Sequence, residues 1–169
     1  HLSDVMSVAI EEKGKTFASG SCDATVKIWD IRGKKDPIRS CHGHESDVNC
    51  VKWLNDYNTI GTASSDGTCA LFDASSGKPV QGFSSPNLVG EATFLDFTKS
   101  GRYLIAGYED EVARVWDTRY ARITSTLSCH YDRVSCISVA PDGAALCTGS
   151  WDSSIWVRHL VSVSSFPRS

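Results

Sequence analysis

The sequence has no Cys-x-x-Cys pair, no apolar run approaching 18 residues and a single methionine among 169 residues. Without such a run, no segment reads as a transmembrane span. Seven cysteines (Cys22, Cys41, Cys50, Cys69, Cys129, Cys136, Cys147) are an odd number without paired spacing. They read as reduced, mostly buried thiols rather than a disulfide framework. Cys41-His42-Gly43-His44 and Cys129-His130 resemble ligand runs. No Cys-x-x-Cys or His-x-x-x-His accompanies them, so no metal site is expected. A basic excess is missing as well. Lys and Arg number 17 against 20 Asp and Glu, a net charge of −3, which is a poor footprint for nucleic acid. No signal peptide is visible, and the chain opens at His1 rather than Met, which fits a missing upstream segment.

What is present is ordinary for a folded protein: 41% hydrophobic and 22% charged residues. A compact chain of this length can bury roughly 70% of its unfolded surface. No stretch has the spacing of an amphipathic helix. Short β-branched or aromatic runs cover Val5 to Ile10, Thr25 to Trp29, Val48 to Trp53, Thr93 to Phe97, Val112 to Trp116 and Val134 to Val139. Polar turn clusters separate them, among them Glu12-Lys13-Gly14-Lys15, Asn55-Asp56-Tyr57-Asn58, Lys99-Ser100-Gly101-Arg102 and Pro141-Asp142-Gly143.

The chain also repeats itself. Trp29-Asp30-Ile31 recurs as Phe72-Asp73-Ala74 and as Trp116-Asp117-Thr118, at spacings of 43 and 44 residues. A turn aspartate precedes each: Asp23, Asp66, Asp110, and Asp152 in a fourth copy. Twenty-two residues before Asp23, Asp66 and Asp152 stand His1, His44 and His130, with Leu88 in the third copy. Four residues before the turn aspartate stand Ser19, Thr62, Ala106 and Thr148. Copies one and two thus hold complete sets: His1, Ser19, Asp23 and Trp29, then His44, Thr62, Asp66 and Phe72. Copy four has Arg158 in the aromatic's place. A period near 43 with His, then Asp, then Trp-Asp is the WD-repeat signature of a β-propeller. An all-β fold with antiparallel blades of about four strands is therefore expected. The repeats run over about 1–32, 43–75, 85–119 and 129–158, and a divergent tail over 159–169.

The polar sets have a structural reading. The aspartate can hold turn N–H groups and the imidazole, the imidazole can meet the hydroxyl, and the hydroxyl can meet the indole. Each bond is worth about 1 kcal/mol. A Ser-His-Asp hydrolase is the competing reading, but one chain does not build two identical triads inside blades, and there is no Gly-x-Ser-x-Gly elbow. No phosphate-binding glycine motif stands out, since Ser19-Gly20-Ser21 reads as a strand end. No catalytic residue, cofactor or metal is expected.

Comparing the copies internally picks out positions that vary. Before the turn aspartate stand Cys22, Ser65, Glu109 and Trp151. Three residues after the histidine position stand Asp4, Asp47, Glu91 and Arg133, and two further on Met6, Asn49, Thr93 and Ser135. Equivalent residues of successive blades ring the axis, so these sets are expected at one mouth of the disc. Trp151, a large aromatic at a tight turn, is the best anchor for a partner.

Longer strings carry a more specific resemblance. His1-Leu2-Ser3-Asp4-Val5-Met6-Ser7, Ser19-Gly20-Ser21-Cys22-Asp23-Ala24, Gly43-His44-Glu45-Ser46-Asp47-Val48-Asn49, Ser100 to Tyr108 and Thr148-Gly149-Ser150-Trp151-Asp152-Ser153 resemble the last four repeats of heterotrimeric G-protein beta subunits. The resemblance covers residues 1 to about 157. It implies four blades of a seven-bladed ring. It also implies a non-enzymatic signalling scaffold that binds a gamma subunit permanently and GDP-bound alpha reversibly, along with downstream effectors. On this view it sits in the cytoplasm, at the cytoplasmic face of the plasma membrane through its partners. The alpha- and effector-facing positions match Asp4, Met6, Cys22, Asp47, Asn49 and Trp151. Ser65 departs from the family, which usually has Asp there. The first three repeats and the N-terminal helix that coils with gamma have no counterpart here. The end of the last repeat, Ser154-Ile155-Trp156-Val157-Arg158, also departs from the pattern. A generic WD-repeat adaptor of another complex is the second reading.

Overall fold

A computed structural model describes residues 1–33, 35–54 and 58–159. Among the described residues, fifteen strands form four sheets in chain order. The first sheet holds β1 (Val5–Ile10), β2 (Thr16–Ser21), β3 (Val26–Asp30) and β4 (Arg39–Cys41). The second holds β5 (Val48–Trp53), β6 (Thr59–Ser64), β7 (Cys69–Asp73) and β8 (Pro79–Phe83). The third holds β9 (Ala92–Phe97), β10 (Tyr103–Tyr108), β11 (Val112–Asp117) and β12 (Arg122–Ser128). The last holds β13 (Val134–Val139), β14 (Ala145–Ser150) and β15 (Ile155–His159). Each is an antiparallel meander in which sequence neighbours pair. The architecture is four blades of a propeller. Of the turn cluster at 55–58, residues 55–57 lie outside the described residues. So do residues 160–169 of the expected tail, whose first residue, His159, ends β15.

The first strands of the blades, β1, β5, β9 and β13, pack side by side and line the axis. Blades then stack face to face through apolar side chains. Ala18, Val26 and Ile28 of the first blade meet Val51, Ile60 and Phe72 of the second. Cys50, Ala63 and Leu71 of the second meet Leu95, Phe97 and Leu104 of the third, and Ile105, Ala113 and Val115 of the third meet Val134, Ile137 and Leu146 of the fourth. The second strands of the two middle blades lie between two such faces, and their glycines let the neighbouring blade approach. A Cβ on Gly61 would stand 2.3 Å from the Phe97 ring, and one on Gly107 would stand 2.7 Å from Val134 Cγ1.

Only three of the seven cysteines are buried: Cys41, Cys50 and Cys69. Cys22 and Cys129 are half-buried, and Cys136 and Cys147 are exposed. The expectation of mostly buried thiols is thus corrected. The last two lie on a face of the fourth blade that no neighbouring blade covers. Burial pushes the Cys41 and Cys50 thiols up to about 11 and Cys69 up to about 12, so the core thiols are protonated at neutral pH.

Candidate binding face and its polar supports

In each blade the turn between the second and third strands carries the aspartate. In the first blade His1 Nδ1 lies 2.9 Å from Asp23 Oδ2, and Nε2 lies 2.7 Å from Ser19 Oγ. Trp29 Nε1 donates to the same Oγ at 2.8 Å. Asp23 also accepts from the Leu2 and Thr25 N–H groups and the Thr25 hydroxyl. The second blade repeats this with His44, Asp66 and Thr62, at 2.8 and 2.7 Å. Its aromatic, Phe72, has no N–H to give, so Thr62 reaches the Ala70 carbonyl at 3.2 Å instead. His130, Asp152 and Thr148 make the same pair of bonds at 2.9 Å each in the fourth blade, although Arg158 replaces the aromatic.

The residue after the turn aspartate adopts positive φ in all four blades: Ala24 at 60°, Gly67 at 81°, Glu111 at 69° and Ser153 at 66°. L-residues resist that conformation. The aspartate offsets the cost by fixing the N–H two residues on, at Thr25, Thr68 and Ser154. Burial alone would raise the Asp66 carboxyl, yet bonds from His44, Thr68 and the Glu45 N–H outweigh it and hold it well below the usual carboxylate range. Asp152 is likewise held low, first by the Ser154 hydroxyl.

The third blade, with Leu88 and Ala106, solves the same problem differently. Arg114 takes the histidine's place, donating from Nη1 and Nη2 to the two carboxylate oxygens of Asp110 at 2.9 and 2.5 Å. Trp116 Nε1 finds the Tyr108 hydroxyl at 3.0 Å. Burial pushes the Tyr108 phenol far above its ordinary value, so it stays protonated. Internal comparison at the histidine and hydroxyl positions missed both substitutes. The signal was there: Tyr108 stands where the other copies have Ser21, Ser64 and Ser150.

The spacing His–Ser/Thr–Asp resembles a catalytic triad. A nucleophile must meet its substrate, however. Ser19, Thr62 and Thr148 are all at least 97% buried, with their lone pairs and protons engaged inside the blade. Among the described residues no group of three or more His, Cys, Asp and Glu side chains could hold a metal ion. None of their helices is long and apolar enough to cross a membrane.

The variable positions lie at the starts of the axial strands and in the turns that follow the second strands, all at one end of the propeller. Within every blade the N–H of the residue before the turn aspartate donates to the carbonyl three residues after the histidine position. The pairs are Cys22 to Asp4, Ser65 to Asp47, Glu109 to Glu91 and Trp151 to Arg133, at 2.9–3.2 Å. Between blades the side chains of the same two positions meet. Cys22 bonds Asp47, which pushes the thiol up to about 11. Ser65 donates to Glu91 at 2.7 Å, and Glu109 pairs with Arg133 at 3.2 Å. A stitched rail therefore runs across the mouth, ending on Trp151, which is 66% exposed with the Arg133 guanidinium over its ring at 4.8 Å.

One further device was not visible in the sequence. The pairing of first and second strands skips one residue in every blade, at Met6, Asn49, Thr93 and Ser135. A bulge re-aims the side chain it frees. Met6 turns to solvent, 53% exposed. Asn49 instead reaches Ser65 and the Ala92 carbonyl of the next blade, and Thr93 reaches the Val134 carbonyl. Asp4 is exposed, whereas Asp47, Asn49 and Cys22 are half-buried. Leu2, Val89 and Tyr131, each beside a histidine position, join Met6 and Trp151 as exposed apolar side chains at this end. The copy comparison had passed over these three.

Fold and repeat chemistry together define a WD-repeat propeller. The model of the WD domain, G-beta repeat family matches residues 1–30, 35–73, 77–117 and 121–158, and the chain belongs to that family. Among curated proteins it is similar to the guanine nucleotide-binding protein subunit beta of Solanum tuberosum, with 44% identity over 163 residues. The proteins of the same name from Oryza sativa subsp. japonica and Zea mays are 43% and 44% identical over 165 residues. In each case the match covers 92% of this chain and 43% of the relative, so the chain spans less than half the length of these proteins.

Proposed function

We propose that this chain is part of a non-enzymatic signalling scaffold of the G-protein beta type, and that the end carrying Trp151 binds a GDP-bound alpha subunit or an effector. The reading is supported by one surface. Exposed apolar side chains (Leu2, Met6, Tyr131, Trp151) stand among the carboxylates Asp4, Asp47 and Glu91. An apolar centre with an anionic surround suits a protein face carrying Lys or Arg around an apolar patch. Asp4, Met6 and Trp151 offer themselves directly. Cys22, Asp47 and Asn49 act first on each other and on the next blade, fixing the floor on which the exposed side chains stand. A gamma subunit would bind elsewhere, and association with the cytoplasmic face of the plasma membrane would come through these partners.

The test places Trp151→Ala and Asp47→Ala in the full-length protein and measures binding of GDP-bound alpha. Trp151→Ala should weaken it by about 2 kcal/mol, close to thirtyfold, if the indole is a hot spot. Asp47→Ala should weaken it in a salt-dependent way. Gamma should still co-purify with both. Unchanged alpha affinity in both variants would favour the generic WD-repeat adaptor. Joint loss of gamma would show that the residues are structural.

A further inference from the structure

At each junction on the Trp151 end, the residue before the turn aspartate of one blade meets the residue three after the histidine position of the next. The three pairs differ in how they carry charge. Glu109 faces Arg133 at 3.2 Å, so its carboxylate is neutralised by a neighbour of opposite sign. Asp47 and Glu91 face only a thiol and a hydroxyl, those of Cys22 and Ser65. Neither carboxylate makes an ion pair among the described residues. The rail is therefore anionic over its first two junctions and balanced at the third, where it ends on Trp151.

Of the two unpaired carboxylates, Glu91 is the more firmly held. Asn49 Nδ2 donates to Ser65 Oγ at 3.0 Å. A hydroxyl has one proton to give. With Asn49 already donating to it, Ser65 gives that proton to Glu91 Oε2 at 2.7 Å. Asn49 is itself pinned by the Ala92 carbonyl of the third blade at 2.9 Å. The backbone of Glu91 is fixed as well, since its carbonyl accepts from the Glu109 N–H at 3.1 Å. Just before it, Gly90 at φ 98° brings the chain close over the second blade, its carbonyl 3.1 Å from where a Cβ on Gly67 would stand. Bonds running from Asn49 through Ser65 thus hold one oxygen of Glu91, while Oε1 has no partner among the described residues. A carboxylate oriented by one oxygen and open at the other is pre-organised for a cation.

We propose that Glu91 is a specificity-determining residue of this end: it takes a Lys or Arg of the bound protein at the junction of the second and third blades. Ser65 and Asn49 act through it as positioning residues. A partner with a neutral or acidic side chain at that point would leave a half-buried carboxylate unpaired or repelled, so Glu91 rejects as well as attracts. At the third junction Arg133 already cancels Glu109, and there the partner needs only an apolar group for Trp151. The inference rests on the reading of this end as the partner-binding face.

Glu91→Gln in the full-length protein keeps an acceptor for Ser65 and removes only the charge. Binding of GDP-bound alpha at about 50 mM salt should weaken about tenfold, and the gap should narrow to about threefold or less at about 500 mM. Ser65→Ala should weaken binding about threefold by itself. Added to Glu91→Gln it should cost nothing more, because it works through the carboxylate. Trp151→Ala, measured beside them, separates this inference from the reading beneath it. Loss with Trp151→Ala but none with Glu91→Gln would overturn the role of Glu91 and leave the binding face standing. No loss with either would overturn both. A Glu91→Gln loss that salt does not reduce would make the residue structural and overturn the proposal. Fully additive losses in the double variant would overturn the positioning role of Ser65.

Discussion

Replacing Asp66 by Ala tests whether the polar set holds its blade. The side chain accepts from His44 Nδ1 at 2.8 Å, the Glu45 N–H at 3.0 Å, and the Thr68 N–H and hydroxyl at 2.8 and 2.6 Å. The Glu45 N–H is exposed and can turn to water at little cost. The His44 ring is only 3% exposed, and its Nδ1 would keep only the longer contact to the Thr68 hydroxyl at 3.3 Å. Bonds to a charged acceptor are worth about 1.5–3 kcal/mol and neutral ones about 1. After allowing for water at the exposed donor, the loss should be about 3 kcal/mol. For a chain of this size that is a fall in melting temperature of roughly 6–12 °C. Glu109→Ala is the control. Its one ion pair, to Arg133, joins groups each about one-third exposed, so the loss should stay under about 1 kcal/mol. Thermal melts followed by circular dichroism at one fixed protein concentration make the comparison. Equal losses in the two variants would refute the anchoring role, because the turn would then be holding itself.

Gly61→Ala should destabilise by about 1–3 kcal/mol through overpacking against the Phe97 ring. Phe97→Leu in the same chain should recover part of that loss, and urea unfolding of the single and double variants measures it. The depressed carboxyls of Asp23, Asp66 and Asp152 make stability fall on acidification. Their contribution is complete above the unfolded value of about 4 and is lost as pH drops below it towards the folded values. Asp66→Asn should flatten the fall in melting temperature between about pH 4 and pH 2. An unchanged slope would show that this carboxylate has no preferential tie in the fold.

The sequence made the axial strands and the third strands legible because they are rich in β-branched and aromatic residues. It was nearly mute on β2, β6 and β14, which read Thr16-Phe17-Ala18-Ser19-Gly20-Ser21 and its equivalents. Each packs at least one face tightly on a neighbouring blade, and that spacing selects small and hydroxyl residues over the usual strand formers. The polar sets were legible wherever one residue type did one job at a fixed spacing. In the third blade the job passed to Arg114 and Tyr108, at positions other than those of the histidine and hydroxyl, so a comparison of those positions could not find them. The bulges at Met6 and Asn49 left no local mark, because they come from pairing register and not from composition.

The stagger between repeat and blade carries a consequence for breakage. The matched repeats begin at residues 35, 77 and 121, ahead of β4, β8 and β12, so each repeat supplies the outermost strand of the blade before it. A peptide bond cut between repeats, for instance in the turn at 118–121, falls inside the third sheet. There the ladder from Val112↔Ser128 to Asp117↔Arg122 still clasps the two pieces. A cut between sheets, after Ser128, meets no such ladder. Proteolytic nicks of the first kind would therefore show on a denaturing gel while leaving the native particle whole, and chain ends could be relocated to those turns without opening the disc.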